Sequence, residues 1–339
     1  MDISLTVWLL SLVVLVGVLA LDFVLVARNP HEPSLREAGL WVAFYVGLAL
    51  LFGVGLSVVV GGRPGGEFFA GWLTEYSLSI DNLFIFLIIM GKFSVPRQYQ
   101  QKVLLIGVAL ALVMRGIFIA LGSEAIARFD WVFYIFGAFL IFTAWKLAKE
   151  GAGDEDEFEE NKLIKFIEGR FPVSKEYDGA KLFTGGRGRR MITPMFIVIL
   201  TIGTTDLLFA LDSIPAIFGL TQEPYLVFTA NAFALMGLRQ LYFLIGGLVE
   251  RLVYLSYGLS VVLGFIGFKL IFETLHHHGV SWAPEIPIVV SLCVIMGTLT
   301  LTAVASLVKS RGNQTPAEDT AGEMVNVTTG ADGDAPDNR

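Results

Sequence analysis

The sequence has few charged residues and a single cysteine. Only 16% of its 339 residues are charged, whereas 55% are apolar. Soluble globular proteins carry about 25% charged and about 45–50% apolar residues, so this chain is too apolar for a fold surrounded by water. Its net charge of −7 argues against a general affinity for nucleic acid. Cys293 has no second cysteine with which to form an internal disulfide or a thiolate metal site, which excludes thiol chemistry of that kind.

Long apolar runs dominate the chain instead. A helix needs about 20 mostly apolar residues to cross the hydrocarbon core of a bilayer. Nine stretches reach that length, and they cover residues 5–27, 39–60, 68–90, 103–122, 129–148, 194–215, 225–249, 253–275 and 286–308. The first has no basic segment before it and is longer than the apolar part of a secretion signal, so we expect it to remain in the mature chain. The sequence therefore predicts an all-α, polytopic transmembrane helix bundle.

Lysine and arginine are distributed unevenly over the short connections between these spans. With the N-terminus outside, the outer connections contain only Arg63 and Arg128. The inner connections contain Arg28, Arg36, Lys92, Arg97, Lys102, Arg251, Lys309 and Arg311. Because cytoplasmic loops carry the excess of Lys and Arg, this bias predicts an N-out, C-in topology.

A weak internal duplication relates the two halves of the chain. Each half has one span with two acids separated by five residues, then a span with an arginine, then a span with a lysine. The matching residues are Glu75, Asp81, Arg115 and Lys146 in the first half and Asp206, Asp212, Arg239 and Lys269 in the second. Because three helices is an odd number, the second copy enters the membrane from the opposite side. The sequence thus predicts a 3+3 inverted repeat, a plan of secondary transporters in which the substrate binds near the midplane.

The duplication divides the chain into six segments. We expect accessory spans over 1–64, the first three-helix repeat over 65–148, a cytoplasmic linker over 149–193, the second repeat over 194–275, a ninth span over 276–309 and a disordered cytoplasmic tail over 310–339. The tail is rich in Gly, Thr, Asp and Asn and has no apolar periodicity, a composition that buries too little apolar surface to fold. Within the linker, the apolar positions of residues 159–171 predict a short amphipathic helix near the inner surface.

Carboxylates within the predicted spans are the strongest functional signal. A charge near the bilayer centre costs about 2.5–3.5 kcal/mol on insertion scales, so an intramembrane carboxylate marks a site by default. The two acids of each pair are six residues apart, which is about 9 Å of rise and about 120° of rotation on an ideal helix. One unbroken helix therefore does not aim both acids at one ion. Either helices from the two halves converge, or span six is unwound near Gly203 or Pro215, where proline frees a backbone carbonyl.

Oxygen atoms make up the predicted binding site. The residues expected to bind a cation in one cage are Glu75, Asp81, Asp206 and Asp212, assisted by Asn82 and Ser213. Such a set suits hard divalent ions, and Mg²⁺, Ca²⁺ and Mn²⁺ all stay open. We expect Arg115, Arg239 and Lys269 to balance the charge, and the arginines either assist membrane insertion or occupy the vacated site between cycles. Protons are a candidate counter-ion. The outer-loop histidines 276–278 are expected to be a solvated cluster.

Three segments resemble the signature segments of the TerC/Alx family of integral membrane proteins. They are residues 75–84 (EYSLSIDNLF), 205–216 (TDLLFALDSIPA) and 231–239 (NAFALMGLR). The resemblance extends over about residues 60–275. It implies a relation to manganese export and metal homeostasis, with Mn²⁺ as the transported substrate and no tightly bound cofactor. It also implies that the ion ligands are Glu75, Asp81, Asp206 and Asp212.

These observations predict a secondary transporter, not an enzyme, that exports Mn²⁺ across the cytoplasmic membrane of a bacterium. Its expected partners are the cation, protons and the lipid bilayer. One alternative is a calcium or broader divalent cation/proton exchanger. Another is a membrane scaffold that recruits stress-response proteins through residues 149–193. An intramembrane hydrolase is disfavoured, because neither an HExxH motif nor a Gly-Leu-Gly-Asp segment accompanies the aspartates.

Overall fold

A computed structural model describes residues 5–28, 33–150, 172–174, 176–179, 181–185, 191–245, 254–280 and 282–312. The all-α fold predicted from the apolar runs is confirmed. In chain order the elements are α1 (Leu5–Arg28), α2 (Leu35–Val59), α3 (Gly62–Lys92), α4 (Arg97–Arg128), α5 (Val132–Glu150), β1 (Phe183–Thr184), β2 (Met191–Ile192), α6 (Pro194–Phe218), α7 (Pro224–Met236), α8 (Leu238–Ile245), α9 (Leu255–His277) and α10 (Ile288–Gly312).

Seven of the described helices are long and apolar enough to cross a membrane, namely α2, α3, α4, α5, α6, α9 and α10. Within α1, residues 6–18 form a shorter apolar stretch. The predicted span over 225–249 contains two helices, because α7 ends at Met236 and α8 begins at Leu238. Gly237 lies between them, and only proline is less favourable than glycine inside a helix. The total of nine spans and the orientation of the chain stay predictions.

α6 is a continuous helix through the segment where the sequence offered local unwinding as one of two ways to bring the acids together. Pro194 opens the helix, at a position where its missing N–H costs nothing, and Pro215 lies inside it. Gly203 serves close packing and does not loosen the helix, since a side chain there would run into Leu110 of α4. The expectation of a break near Gly203 or Pro215 is therefore wrong. Glu75 and Asp206 come together in the other expected way, by convergence of helices from the two halves.

The helices of the two halves pack crosswise. α3 packs most extensively against α7, α6 against α4, and α5 against α9, while α3 and α6 also contact each other. The first helix of each half thus contacts the second helix of the other half, and the third helices contact each other. This reciprocal pattern is the one that a two-fold relation between two repeats produces. Contact between α5 and α9 is close, because a Cβ on Gly267 would lie 2.9 Å from the carbonyl oxygen of Gly137.

Two apolar clusters fill the bundle, one toward each end. The first is built from buried residues within 83–90, 95–111, 195–202 and 235–242, and the described part of the linker packs on it. We call this end of the bundle the linker end. The second cluster contains buried residues of α4, α5, α6 and α9 up to Leu270, close to the histidines 276–278, and marks the histidine end. α3 therefore runs from the histidine end to the linker end, and α6 runs the opposite way.

The described part of the predicted linker is folded against the linker end. β1 and β2 pair antiparallel just before α6 begins. The half-buried hydroxyl of Tyr177 donates a hydrogen bond of 2.7 Å to the carbonyl of Phe93, the residue that follows α3. Partial burial raises the pKa of Tyr177 above its ordinary value. The amphipathic helix predicted over 159–171 and the tail beyond residue 312 lie outside the described residues.

Candidate functional site

Three charged residues meet between the two apolar clusters. Glu75 of α3, Arg115 of α4 and Asp206 of α6 are 0%, 1% and 2% exposed. On each of these helices, the charged residue separates residues of the histidine-end cluster from residues of the linker-end cluster. The three side chains and the polar groups around them form what we call the polar layer. Apolar packing closes this layer toward both ends of the bundle.

Arg115 connects the two carboxylates. Its Nε and Nη2 donate to the two oxygens of Asp206 at 3.3 and 3.2 Å, as a planar guanidinium does with a carboxylate. Its Nη1 donates to Oε1 of Glu75. The same nitrogen donates to Oγ of Ser213 at 3.0 Å and to Oδ1 of Asn231 at 2.8 Å. Residues from α3, α6 and α7 thus share one guanidinium.

The polar layer contains two carboxyl groups and one guanidinium. With both carboxyls ionised, the formal charge of these three side chains is −1. Ser79 donates to Oε1 of Glu75 at 3.4 Å. Oε2 of Glu75 has no hydrogen-bond partner within the described part of the chain. Since buried polar atoms are nearly always partnered, the layer has both an unused ligand atom and an excess negative charge.

Asp81 and Asp212 lie on opposite sides of the polar layer. α3 places Asp81 six residues beyond Glu75, toward the linker end, and α6 places Asp212 six residues beyond Asp206, toward the histidine end. Six residues of an ideal helix rise about 9 Å. Both acids are half-buried, and Thr143 of α5 donates to Asp212 at 3.1 Å. The four carboxylates therefore form a ladder of three levels, with the Glu75 and Asp206 pair in the middle.

The structure does not form the single cage of four carboxylates that the sequence predicts. Across the described ranges, no group of three or more His, Cys, Asp or Glu side chains is placed to hold a metal ion. Only Glu75 and Asp206 come together, because the antiparallel courses of α3 and α6 carry Asp81 and Asp212 apart. Of the two assisting residues, Ser213 contacts Arg115, and Asn82 is buried beside Asp81.

The other predicted charge-balancing residues lie beyond the polar layer. Arg239 is buried in α8, toward the linker end, where its Nε donates to Oε1 of Gln240 at 2.8 Å. Lys269 is buried in α9, and its Nζ donates to the carbonyl of Gly219 at 2.8 Å. The same Nζ lies 3.4 Å from Oε2 of Glu273. Because Gly219 is the C-cap of α6, Lys269 satisfies a carbonyl at the negative end of the helix dipole.

A cavity opens at the histidine end. One part has a volume of about 400 Å³, with Arg63, Glu67 and Glu273 in its wall. An adjoining part of about 360 Å³ is lined by His277 and His278, and all three predicted loop histidines are exposed. Sequence reasoning missed Glu67, Glu273 and Thr143 as neighbours of the predicted residues. A readable signal existed for Glu273, which lies four residues after Lys269 on one helix face.

Similarity to known proteins extends over most of the chain. Residues 60–314 match the family described as the integral membrane protein TerC family. The chain belongs to this family. The resemblance carried by the acid-bearing segments is therefore confirmed, and so is the assignment to integral membrane proteins.

Relatives of this TerC-family protein occur in several bacteria. Membrane protein Rv2723 of Mycobacterium tuberculosis H37Rv is 46% identical over 317 residues, which are 90% of this chain and 80% of the relative. Membrane protein STKORF319 of Myxococcus xanthus is 42% identical over 90% of this chain and 92% of its own. Alx of Escherichia coli K12, whose name proposes a membrane-bound redox modulator, is 39% identical over 86% and 90%. No solved structure matches the chain significantly.

Proposed function

We propose that this TerC-family protein is a secondary transporter that exports Mn²⁺ across the bacterial cytoplasmic membrane. The observation that supports this most is the meeting of Glu75 and Asp206, one carboxylate from each half, in a polar layer closed toward both ends. Inverted-repeat transporters bind their substrate near the midplane where the halves meet. Buried carboxylates are expensive in a membrane, and ion transport is a function that requires them.

The chemistry of the polar layer suits a hard divalent cation. Its acceptor atoms are the carboxylate oxygens of Glu75 and Asp206, the hydroxyl of Ser213 and the amide oxygen of Asn231. Oxygen ligands favour Mn²⁺, Mg²⁺ and Ca²⁺ over soft metals. When Arg115 is withdrawn, the two carboxylates carry a formal charge of −2, which one divalent ion neutralises.

Manganese is favoured among these ions by the family resemblance, because oxygen ligands alone do not separate Mn²⁺ from Ca²⁺. The name of the E. coli relative proposes redox modulation. An internal dithiol cannot provide such a function here, since Cys293 is the single cysteine of 339 residues. Transport of a metal ion accounts for the buried acids, which a thiol-based role leaves without a purpose.

Asp81 and Asp212 extend the polar layer toward the two ends of the bundle. In the proposed transport cycle, Asp81 passes the cation between the linker end and the layer, and Asp212 does so on the histidine side. Each step is about 9 Å along the helix axis. Asn82 supplies a buried amide next to Asp81.

Metal flux into liposomes tests this proposal. Purified protein in sealed vesicles is expected to carry Mn²⁺ down an imposed gradient, and an opposite pH gradient should accelerate it if protons are the counter-ion. Glu75→Gln and Asp206→Asn should lower the flux to that of vesicles without protein. Glu124→Gln is the matched control, since it makes the same change at the exposed end of α4 and should leave the flux unaltered. Normal flux in both site variants would contradict the proposal.

The same vesicles distinguish the alternatives. A calcium or broader divalent cation exchanger would show strong competition by Ca²⁺ or Mg²⁺ for Mn²⁺ flux. A membrane scaffold would show no flux and would lose its cellular effect when residues 154–168 of the linker are removed. A transporter should keep its flux after that deletion.

A further inference from the structure

Arg115 makes the contacts that a bound metal ion would make in the polar layer. Its guanidinium is within hydrogen-bond distance of both oxygens of Asp206, of Oε1 of Glu75, of Oγ of Ser213 and of Oδ1 of Asn231. All of these acceptors are oxygens of the kind that a hard cation takes as ligands. The guanidinium and a metal ion therefore compete for the same atoms.

The fit of Arg115 to the acid pair is incomplete. With both carboxyls ionised, the single guanidinium offsets only one of their two negative charges. Oε2 of Glu75 has no hydrogen-bond partner among the described residues. A divalent ion carries one more charge than a guanidinium and would use that oxygen. The pair is thus better matched to a divalent cation than to the arginine that holds it.

Asn231 holds the guanidinium from the second half of the chain. Its Nδ2 donates to the carbonyl of Val227 at 3.1 Å, one turn earlier in α7. This bond turns Oδ1 toward Nη1 of Arg115, 2.8 Å away. Asn231 thus anchors the guanidinium and also presents an oxygen that the proposed cation site takes as a ligand.

We propose that Arg115 is a built-in competitor, which occupies the acid pair whenever the transported ion is absent and which the ion must displace. This role rests on the proposed function, because it takes Glu75 and Asp206 as the cation site. Its consequence is a lower apparent affinity, since the measured Kd is the intrinsic Kd divided by the fraction of molecules with a vacant pair. A second consequence is that the acid pair of the empty transporter stays partly neutralised between cycles.

Equilibrium Mn²⁺ binding to the full-length protein in detergent tests this role, with free Mn²⁺ measured by its electron paramagnetic resonance signal. Arg115→Gln should bind Mn²⁺ about tenfold or more tightly, because the competitor is removed. Its Mn²⁺ flux in liposomes should fall, because no internal cation closes the empty site. Arg115→Lys, which keeps the charge with fewer donors, should lie between wild type and Arg115→Gln. Arg128→Gln makes the same change at the exposed end of α4 and should leave the Kd unaltered.

Arg115→Lys keeps the charge of the layer and all of the oxygens that the proposed site takes as ligands, so it decides the question where Arg115→Gln does not fold. It should bind Mn²⁺ a few fold more tightly than wild type. Unchanged or weaker binding in folded Arg115→Gln, or in Arg115→Lys, overturns the competitor role. Failure of the proposed function has a different signature: Glu75→Gln and Asp206→Asn then bind Mn²⁺ as tightly as wild type. If no variant binds Mn²⁺ at all, both proposals fall.

Discussion

Replacing Arg115 by glutamine should leave two buried carboxylates facing each other. In the wild type the guanidinium offsets one of two negative charges, whereas the variant layer carries a formal charge of −2. Removal of one partner from a buried ion pair typically costs about 3–5 kcal/mol, because the remaining charge is left uncompensated. We expect Arg115→Gln to lose about this much stability when no divalent cation is present.

A second substitution at Glu75 should recover part of this loss. The double variant Arg115→Gln/Glu75→Gln has one buried carboxylate and the formal charge of the wild type. Glu75→Gln alone leaves Arg115 paired with Asp206 and should cost less than Arg115→Gln. Residues in one ion-pair network usually couple by about 0.5–3 kcal/mol, so the double variant should be more stable than the sum of the single changes predicts.

Thermal unfolding in detergent measures this cycle. Circular dichroism at the helix band follows the melting of wild type, both single variants and the double variant in buffer with a chelator. Addition of Mn²⁺ should raise the Tm of Arg115→Gln more than that of the wild type, since a ligand stabilises the state that binds it more tightly. Strictly additive effects of the two substitutions would refute the reasoning, because they would mean that Arg115 and Glu75 do not interact.

Two further predictions concern the packing that holds the layer in place. Gly267→Ala should destabilise the protein by about 1–3 kcal/mol, because a Cβ 2.9 Å from the carbonyl oxygen of Gly137 forces α5 and α9 apart. Gly47→Ala, with open space around it in α2, is the control, and equal melting temperatures of the two variants would contradict the close contact. Tyr177→Phe should cost about 0.5–1.5 kcal/mol by removing the hydrogen bond to Phe93, and it should speed amide exchange at the linker end of α3. Unchanged exchange there would show that the linker does not hold this end.

The lengths of the apolar runs predicted the helices, because membrane helices fold in lipid. A helix in lipid must satisfy its own backbone and present an apolar surface for about 20 residues, so each span leaves a long signal. The predicted spans 68–90 and 194–215 fall within α3 and α6. The interruption at Gly237 left no such signal, since it lies inside a stretch whose mean hydropathy is that of a span. Local backbone changes inside an apolar run do not alter hydropathy.

The candidate site was predictable in its residues and only partly in its geometry. Costly buried charge identified Glu75 and Asp206, and the inverted repeat implied that α3 and α6 run in opposite directions. When two antiparallel helices meet at the first acid of each pair, the second acids diverge, so the ladder follows from those two expectations together. The contact of Thr143 with Asp212 depends on how α5 is rotated against α6, and a single sequence carries no signal for that rotation.

The two halves differ in the helices that carry their arginines, and this difference decides which arginine contacts the acid pair. α4 is continuous and directs Arg115 into the polar layer, whereas the equivalent Arg239 follows two residues after the break and lies beside Gln240. In the proposed transporter, rocking of one repeat against the other would exchange such differences between the halves and turn the site toward the other side of the membrane. The ladder of acids is the same from either direction, so it does not by itself distinguish the two facings. The asymmetry lies in the arginine-bearing helices: α4 is uninterrupted and its Arg115 contacts the acid pair, whereas α7 and α8 are separated at Gly237 and Arg239 lies toward the linker end.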